Sequence, residues 1–166
     1  MKTADDILLL GNPRLNDVSA PIQEHELKDL KNWVNDLHTA MEDVRAKYGF
    51  GRGIAAPQLG IMKRLIYVNI NKPIIIINPE IINKSDEMIE LWDDCMSFPN
   101  LFVKVKRHKT IKFKYLDENW KEREWTVHDD LSELFQHEFD HLNGTLSTDR
   151  AVANQPFRWR KLKELK

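Results

Sequence analysis

The sequence predicts an α+β fold, and three patterns carry the prediction. Apolar residues at Leu27, Leu30, Val34, Leu37, Met41, Val44 and Tyr48 recur at alternating steps of three and four, which places them on one stripe of a long N-terminal amphipathic helix. The middle third of the chain holds short apolar or alternating runs of the kind a sheet with one wet face requires. A second, shorter helix is signalled between Asp130 and Gly144.

Taken in order, the segment from Met1 to Pro13 sets Asp5 and Asp6 ahead of only four consecutive aliphatic residues, Ile7 to Leu10. That run is too short for a signal h-region or a membrane span, so a cytoplasmic protein without a membrane partner is expected. Gly49 is a natural stop for the long helix. Strands are expected at Leu65 to Val68, at Ile74 to Ile77 closed by Asn78-Pro79, and where Ile111, Phe113 and Tyr115 alternate with Lys112 and Lys114. The basic cluster Lys104, Lys106, Arg107, Lys109, Lys112 and Lys114 alternates with Val103, Val105, Ile111 and Phe113. It therefore reads as a solvated sheet face rather than a nucleic-acid patch. Asp130 and Glu133 have capping-box spacing at the start of the second helix, and Gly144 ends it. From about Arg150 to Lys166 the chain carries six Lys or Arg against one acid, Glu164. This basic tail reads as solvated, with Pro156 able to start a short helix.

Size and charge bound what such a chain can do. At 166 residues and 19.6 kDa, one domain spanning 1–166 is expected, and folding buries roughly 70% of the unfolded chain's surface. A core of that extent needs no staple, so a bound metal would serve chemistry. The net charge of -1 argues against general binding to DNA through summed phosphate attraction. A single cysteine excludes an intrachain disulfide framework and fits a reduced compartment.

Chemistry concentrates in His137-Glu138-Phe139-Asp140-His141, an H-E-x-x-H pattern inside the second helix. Four residues at about 100° each return the second imidazole to within roughly 40° of the first, so both can grip one metal. Glu138 beside them can take a proton from water without ligating. A third ligand is needed. The metzincin continuation fails because Ser147 stands where its third histidine belongs, and the only acids after His141 are Asp149 and Glu164. Upstream, Cys95 could complete a Cys-His-His set that leaves a fourth position open for water; taken alone, it reads better as a buried inert thiol. A third segment, Gly51-Arg52-Gly53-Ile54-Ala55-Ala56-Pro57-Gln58-Leu59-Gly60, combines small residues with a primary amide.

These three segments, in this order and at this length, resemble peptide deformylases, whose motifs read approximately G-φ-G-φ-A-A-x-Q, E-G-C-L-S and Q-H-E-φ-D-H-L. Here they stand as Gly51 to Gln58, Asp93 to Ser97 and Gln136 to Leu142, and the likeness extends from about Ile7 to Arg150. The resemblance implies an α+β fold with a mixed or antiparallel sheet around a central metal-binding helix. It implies Cys95, His137 and His141 as ligands, Glu138 as acid/base, and Gln58 with the Met96 N–H as oxyanion donors. It further implies one divalent ion, Fe(II), with zinc, nickel or cobalt able to replace it, and N-formylmethionyl peptides as substrate.

Departures from the motifs cluster near this site. Glu-Gly before the cysteine becomes Asp93-Asp94; the family's glutamate commonly pairs with the arginine matching Arg107, and the shorter Asp93 is expected to weaken that pair. Asp94 adds a carboxylate beside substrate and metal. Arg52 stands where an aliphatic residue usually lines the methionine pocket, and Glu133, four residues before His137, can face the same slot. Arg52, Gly53, Asp94, Arg107 and Glu133 are thus the expected substrate-binding residues. The leading expectation is metal-dependent hydrolysis of an N-formyl group. Alternatives are a paralogue acting on a more polar formamide and an impaired metal-binding or interaction protein; a small metallopeptidase is disfavoured by the missing downstream ligand. A nascent-chain enzyme would also suit ribosomal docking through the basic tail.

Overall fold

The computed structural model describes residues 1–161. Its first long element is α1 (Leu27–Tyr48), which ends at Gly49 with φ of 74°. Strands follow as β1 (Gly53–Ala55), β2 (Leu65–Asn69), β3 (Pro73–Lys84), β4 (Met88–Asp94), β5 (Leu101–His108), β6 (Thr110–Leu116) and β7 (Glu122–His128). Helix α2 (Asp129–Leu142) comes next, and β8 (Phe157–Trp159) is the last element of the described residues. There are two sheets, ordered β1-β2-β3-β6-β7 and β4-β5-β8, and every paired strand is antiparallel to its neighbour.

The side-chain period of two in β2 explains the layering. Leu65 and Tyr67 pack with Leu37, Met41 and Val44 of α1, whereas Ile66 and Val68 pack with Phe135 and Phe139 of α2. The first sheet is therefore sandwiched between the two helices. Its central strands are buried on both faces, which is why Leu65 to Val68 and Ile74 to Ile77 read as unbroken apolar runs rather than alternations. The wet face survives only where α1 no longer reaches. There Lys112 pairs with Glu124 at 2.6 Å and Lys114 with Glu80 at 3.1 Å, while Ile111 and Phe113 point inward to α2.

Three local expectations are corrected. Asn78-Pro79 does not close a strand, because β3 continues through it as a bulge between Ile77 and Glu80. Asn78 takes φ of 49° there, and its amide both accepts from Ile22 N and donates to Ile22 O at 2.8 Å. The capping box at α2 is absent: the helix starts after His128 with no side-chain cap, since Asp130 and Glu133 bond to Arg52 instead. The C-terminal segment is a strand rather than a helix or a free tail, and residues 162–166 lie outside the described residues. Among the described residues no helix is long and apolar enough to cross a membrane.

Candidate active site

Helix α2 is buried along most of its length, so its polar residues must find partners inside the protein. His137 and His141 are one turn apart, with their Nε2 atoms 3.1 Å from each other. Cys95, placed by the end of β4, brings Sγ to 3.3 Å from His141 Nε2. Bonds of about 2.0–2.3 Å at tetrahedral angles would separate such donors by roughly 3.3–3.6 Å, so spreading these two separations by a few tenths of an ångström would let the cluster take one transition-metal ion. All three side chains are buried.

The carboxylate beside this cluster is Glu138. Its Oε2 is buried with no hydrogen-bond partner, and burial pushes its pKa up to about 7. A carboxylate with that proton affinity can both accept and return a proton near neutrality. Gly53 shows why glycine stands across from it, since a Cβ there would meet Glu138 Oε1 at 3.2 Å and Leu134 Cδ1 at 3.3 Å. Arg45 of α1 fixes the glycine segment by donating through Nε to Gly51 O at 2.6 Å.

Gln58 sits in a 3-10 turn directly after β1. Its Oε1 accepts from Ala55 N at 3.0 Å, which turns Nε2 toward the metal cluster, 3.2 Å from Ser97 Oγ and 3.6 Å from Cys95 Sγ. The Ser97 N–H points at Cys95 Sγ at 3.4 Å. A primary amide oriented in this way already donates to Ser97 Oγ and toward Cys95 Sγ, which aims its N–H groups at the cluster.

Beneath the ligands lies a buried ionic chain. Asp93 lies within 3.0 Å of His137 Nδ1 and accepts from Arg107 NH2 at 3.0 Å. Burial alone would raise the Asp93 pKa, but His137 and Arg107 overcome it and hold the group at about 2. A permanent carboxylate there fixes the His137 tautomer and leaves Nε2 free to ligate. Arg107 NH1 bonds to Asp140, which also takes Arg150 Nε at 2.5 Å and Arg150 NH2 at 2.6 Å. The shortened Asp93 thus keeps its pair with Arg107, contrary to expectation. Arg107 is 2% exposed and supports the ligands from below rather than lining the substrate cavity, which corrects its place among the binding residues. Replacing Arg107 by Ala would remove the buried cation between Asp93 and Asp140, leaving Asp93 with His137 and Asp140 with Arg150, and stability is expected to fall by about 3–5 kcal/mol in urea unfolding.

A cavity of about 410 Å³ opens over the cluster, and its lining includes Arg52, Gly53, Asp94, Met96, Glu133 and Glu138. Arg52 NH2 lies 3.0 Å from Glu133 Oε2, and Arg52 NH1 lies 3.1 Å from Asp130 Oδ2. Glu133 is only 7% exposed; burial, with Asp93 nearby, raises its pKa to about 8. Arg52 and Glu133 thus meet at the cavity wall instead of reaching separately into solvent. Asp94 faces the cavity too, but its carboxylate is held by Arg160 NH2 at 2.5 Å. Asp140, Ser97, Arg150 and Arg160 were not predicted as parts of the site. Asp140 and Ser97 lie inside the recognised motifs, yet their residue types alone do not reveal whom they hold.

The sequence matches the polypeptide deformylase family over residues 4–157. Peptide deformylase 1 of Rickettsia conorii is 33% identical over 96% of this chain and 95% of its own length. The crystal structure of peptide deformylase from Thermotoga maritima superposes with a TM-score of 0.79, with 35% identity over 88% of this chain and 96% of that one. A peptide deformylase from Synechococcus elongatus, solved in complex with actinonin, gives a TM-score of 0.82 at 28% identity over 90% of this chain and 79% of that one. With its HExxH helix, its cysteine after β4 and its glutamine after β1 in one cluster, the chain belongs to the polypeptide deformylase family.

Proposed function

We infer that this protein hydrolyses the N-formyl group of N-formylmethionyl peptides, releasing formate, with Cys95, His137 and His141 holding a divalent transition metal. The observation that carries the reading is the unpartnered, buried Oε2 of Glu138 beside three converging donors. Fe(II) is the proposed ion; zinc, nickel and cobalt suit the same donors. The bound ion supplies Lewis acidity, lowering the pKa of water from 15.7 towards about 7.

Each remaining role belongs to a side chain of this protein. Glu138 accepts the proton from the attacking water and returns it to the departing amine, a use its position and raised pKa support. As the formyl oxygen gains negative charge, Gln58 Nε2 and the Met96 N–H donate to it. Asp93 holds His137 in register while charge moves above it. His137 and Arg107, the latter held in turn by Asp140, keep Asp93 ionised. Gln58→Ala is expected to lower kcat by about 10²–10³ with metal content unchanged, measured by steady-state formate release and elemental analysis.

Formate release from formyl-Met-Ala-Ser by protein purified anaerobically with Fe(II) tests the whole reading. No release under those conditions would refute it. Ribosomal docking is a separate proposal, for the described arginines of the tail are already engaged: Arg150 on Asp140, Arg158 over Trp92 and Phe102, and Arg160 on Asp94. It concerns the basic tail from Arg150 to Lys166, of which Lys163 and Lys166 lie outside the described residues, and co-sedimentation with ribosomes that is unchanged when the chain is cut after Ala153 would refute it.

A further inference from the structure

Two charged side chains meet at the rim of the active-site cavity. One is Asp94, where the related motif has glycine directly before the cysteine ligand. The other is Arg160, beyond the family match, which ends at residue 157. Arg160 arrives through β8, which lies antiparallel on β5 with Leu101 opposite Trp159. Its backbone N–H donates to Asn100 O at 2.8 Å, its Nε donates to Pro99 O at 2.9 Å, and its NH2 bonds Asp94 Oδ2 at 2.5 Å. The guanidinium centre lies 4.2 Å from the ring centroids of both Phe50 and Phe102. Its side chain is 6% exposed, against 33% for Asp94.

We infer that Arg160 is a positioning residue of the active site, which ties the Asp94 carboxylate to the cavity rim and so keeps it out of the path of the formylated peptide. The physical case is one of alternatives open to a carboxylate. Asp94 borders the same cavity as Cys95 and Glu138, and a carboxylate released there has space to turn inward. It would then occupy volume meant for substrate and set a second negative charge against the developing oxyanion. A planar guanidinium stacked on two rings and hydrogen-bonded at its edge gives that carboxylate a fixed alternative, which the flexible ammonium of lysine would not reproduce. Phe50 belongs to the cavity wall as well, so the same stack ties the strap at β8 to the wall of the cleft. On this view Asp94 and Arg160 work as one pair, the carboxylate at the cavity rim and the guanidinium that restrains it.

The inference rests on the deformylase reading, and the experiment separates the two. Arg160→Ala, loaded with metal, is expected to lose at least about tenfold in kcat/KM for formyl-Met-Ala-Ser, as misplacement within a cleft does. Adding Asp94→Gly to that variant should restore kcat/KM to within about threefold of Asp94→Gly alone, because the side chain that needed restraint is gone. Calorimetric affinity for the product peptide Met-Ala-Ser, which requires no turnover, should fall and recover in parallel. Unchanged kinetics and affinity in Arg160→Ala would overturn the inference. So would a loss that Asp94→Gly fails to relieve, since Arg160 would then act only by holding β8. If Arg160→Ala does not fold, Arg160→Gln, which can still donate to Pro99 O, carries the same comparison. Absence of formate release by the unmodified protein would refute the deformylase reading, while the product-peptide affinities would still decide the role of Arg160.

Discussion

Glu138→Gln is expected to keep its metal and lose at least about a hundredfold in turnover, because general acid/base catalysis contributes 10²–10⁴-fold. The substitution preserves the volume of a fully enclosed side chain. It also preserves the Cys95, His137 and His141 cluster, of which Glu138 is not a part. What changes is proton affinity: an amide cannot accept a proton near neutrality, whereas burial holds the Glu138 carboxyl at about 7. Elemental analysis and formate release on one preparation check both halves. Loss of metal, or a rate above about a tenth of the original, would show that Glu138 does not have this role.

His141→Ala is expected to act in the opposite order, removing the metal first and activity as a consequence. His141 Nε2 lies between the other two donors, 3.1 Å from His137 Nε2 and 3.3 Å from Cys95 Sγ. Its own pKa is pushed well below the usual histidine value by burial and by His137, so a neutral nitrogen lone pair is available. Two remaining ligands cannot form the three-ligand set of a catalytic transition-metal site. Metal per chain, measured after dialysis, should fall close to zero. Full retention would refute the ligand assignment.

The parts of this protein that were legible in advance are those governed by short-range periodicity. The stripe from Leu27 to Tyr48 and the four-residue return from His137 to His141 follow from helical geometry alone, and both occur as expected. The placement of Gln58 and Cys95 beside them depends on contacts spanning 37 and 46 residues, which no local pattern encodes; only resemblance to known motifs pointed there. Local signals failed where a distant partner outbid them. Asp130 and Glu133 have capping spacing, but Arg52 draws both away from the helix start. Pro79 looked like a strand terminator, yet Asn78 turns the chain through a bulge and lets the strand resume. Arg160 was read as tail because its partners, Asp94, Phe50 and Phe102, become its neighbours only after β8 docks on β5.

The division of the strands into two sheets gives the metal cluster a second meaning. Gln58 follows a strand of the five-stranded sheet, Cys95 follows a strand of the three-stranded sheet, and both histidines come from the helix between them. An ion bound by Cys95, His137 and His141 would therefore join the end of β4 in the three-stranded sheet to the helix that also packs on the five-stranded one, beside the Asp93–His137 and Arg107–Asp140 contacts. Until that junction has closed there is no set of donors to load, so metal uptake reports completed assembly of the protein. Conversely, the free energy of binding would be returned to that junction and so to the folded state.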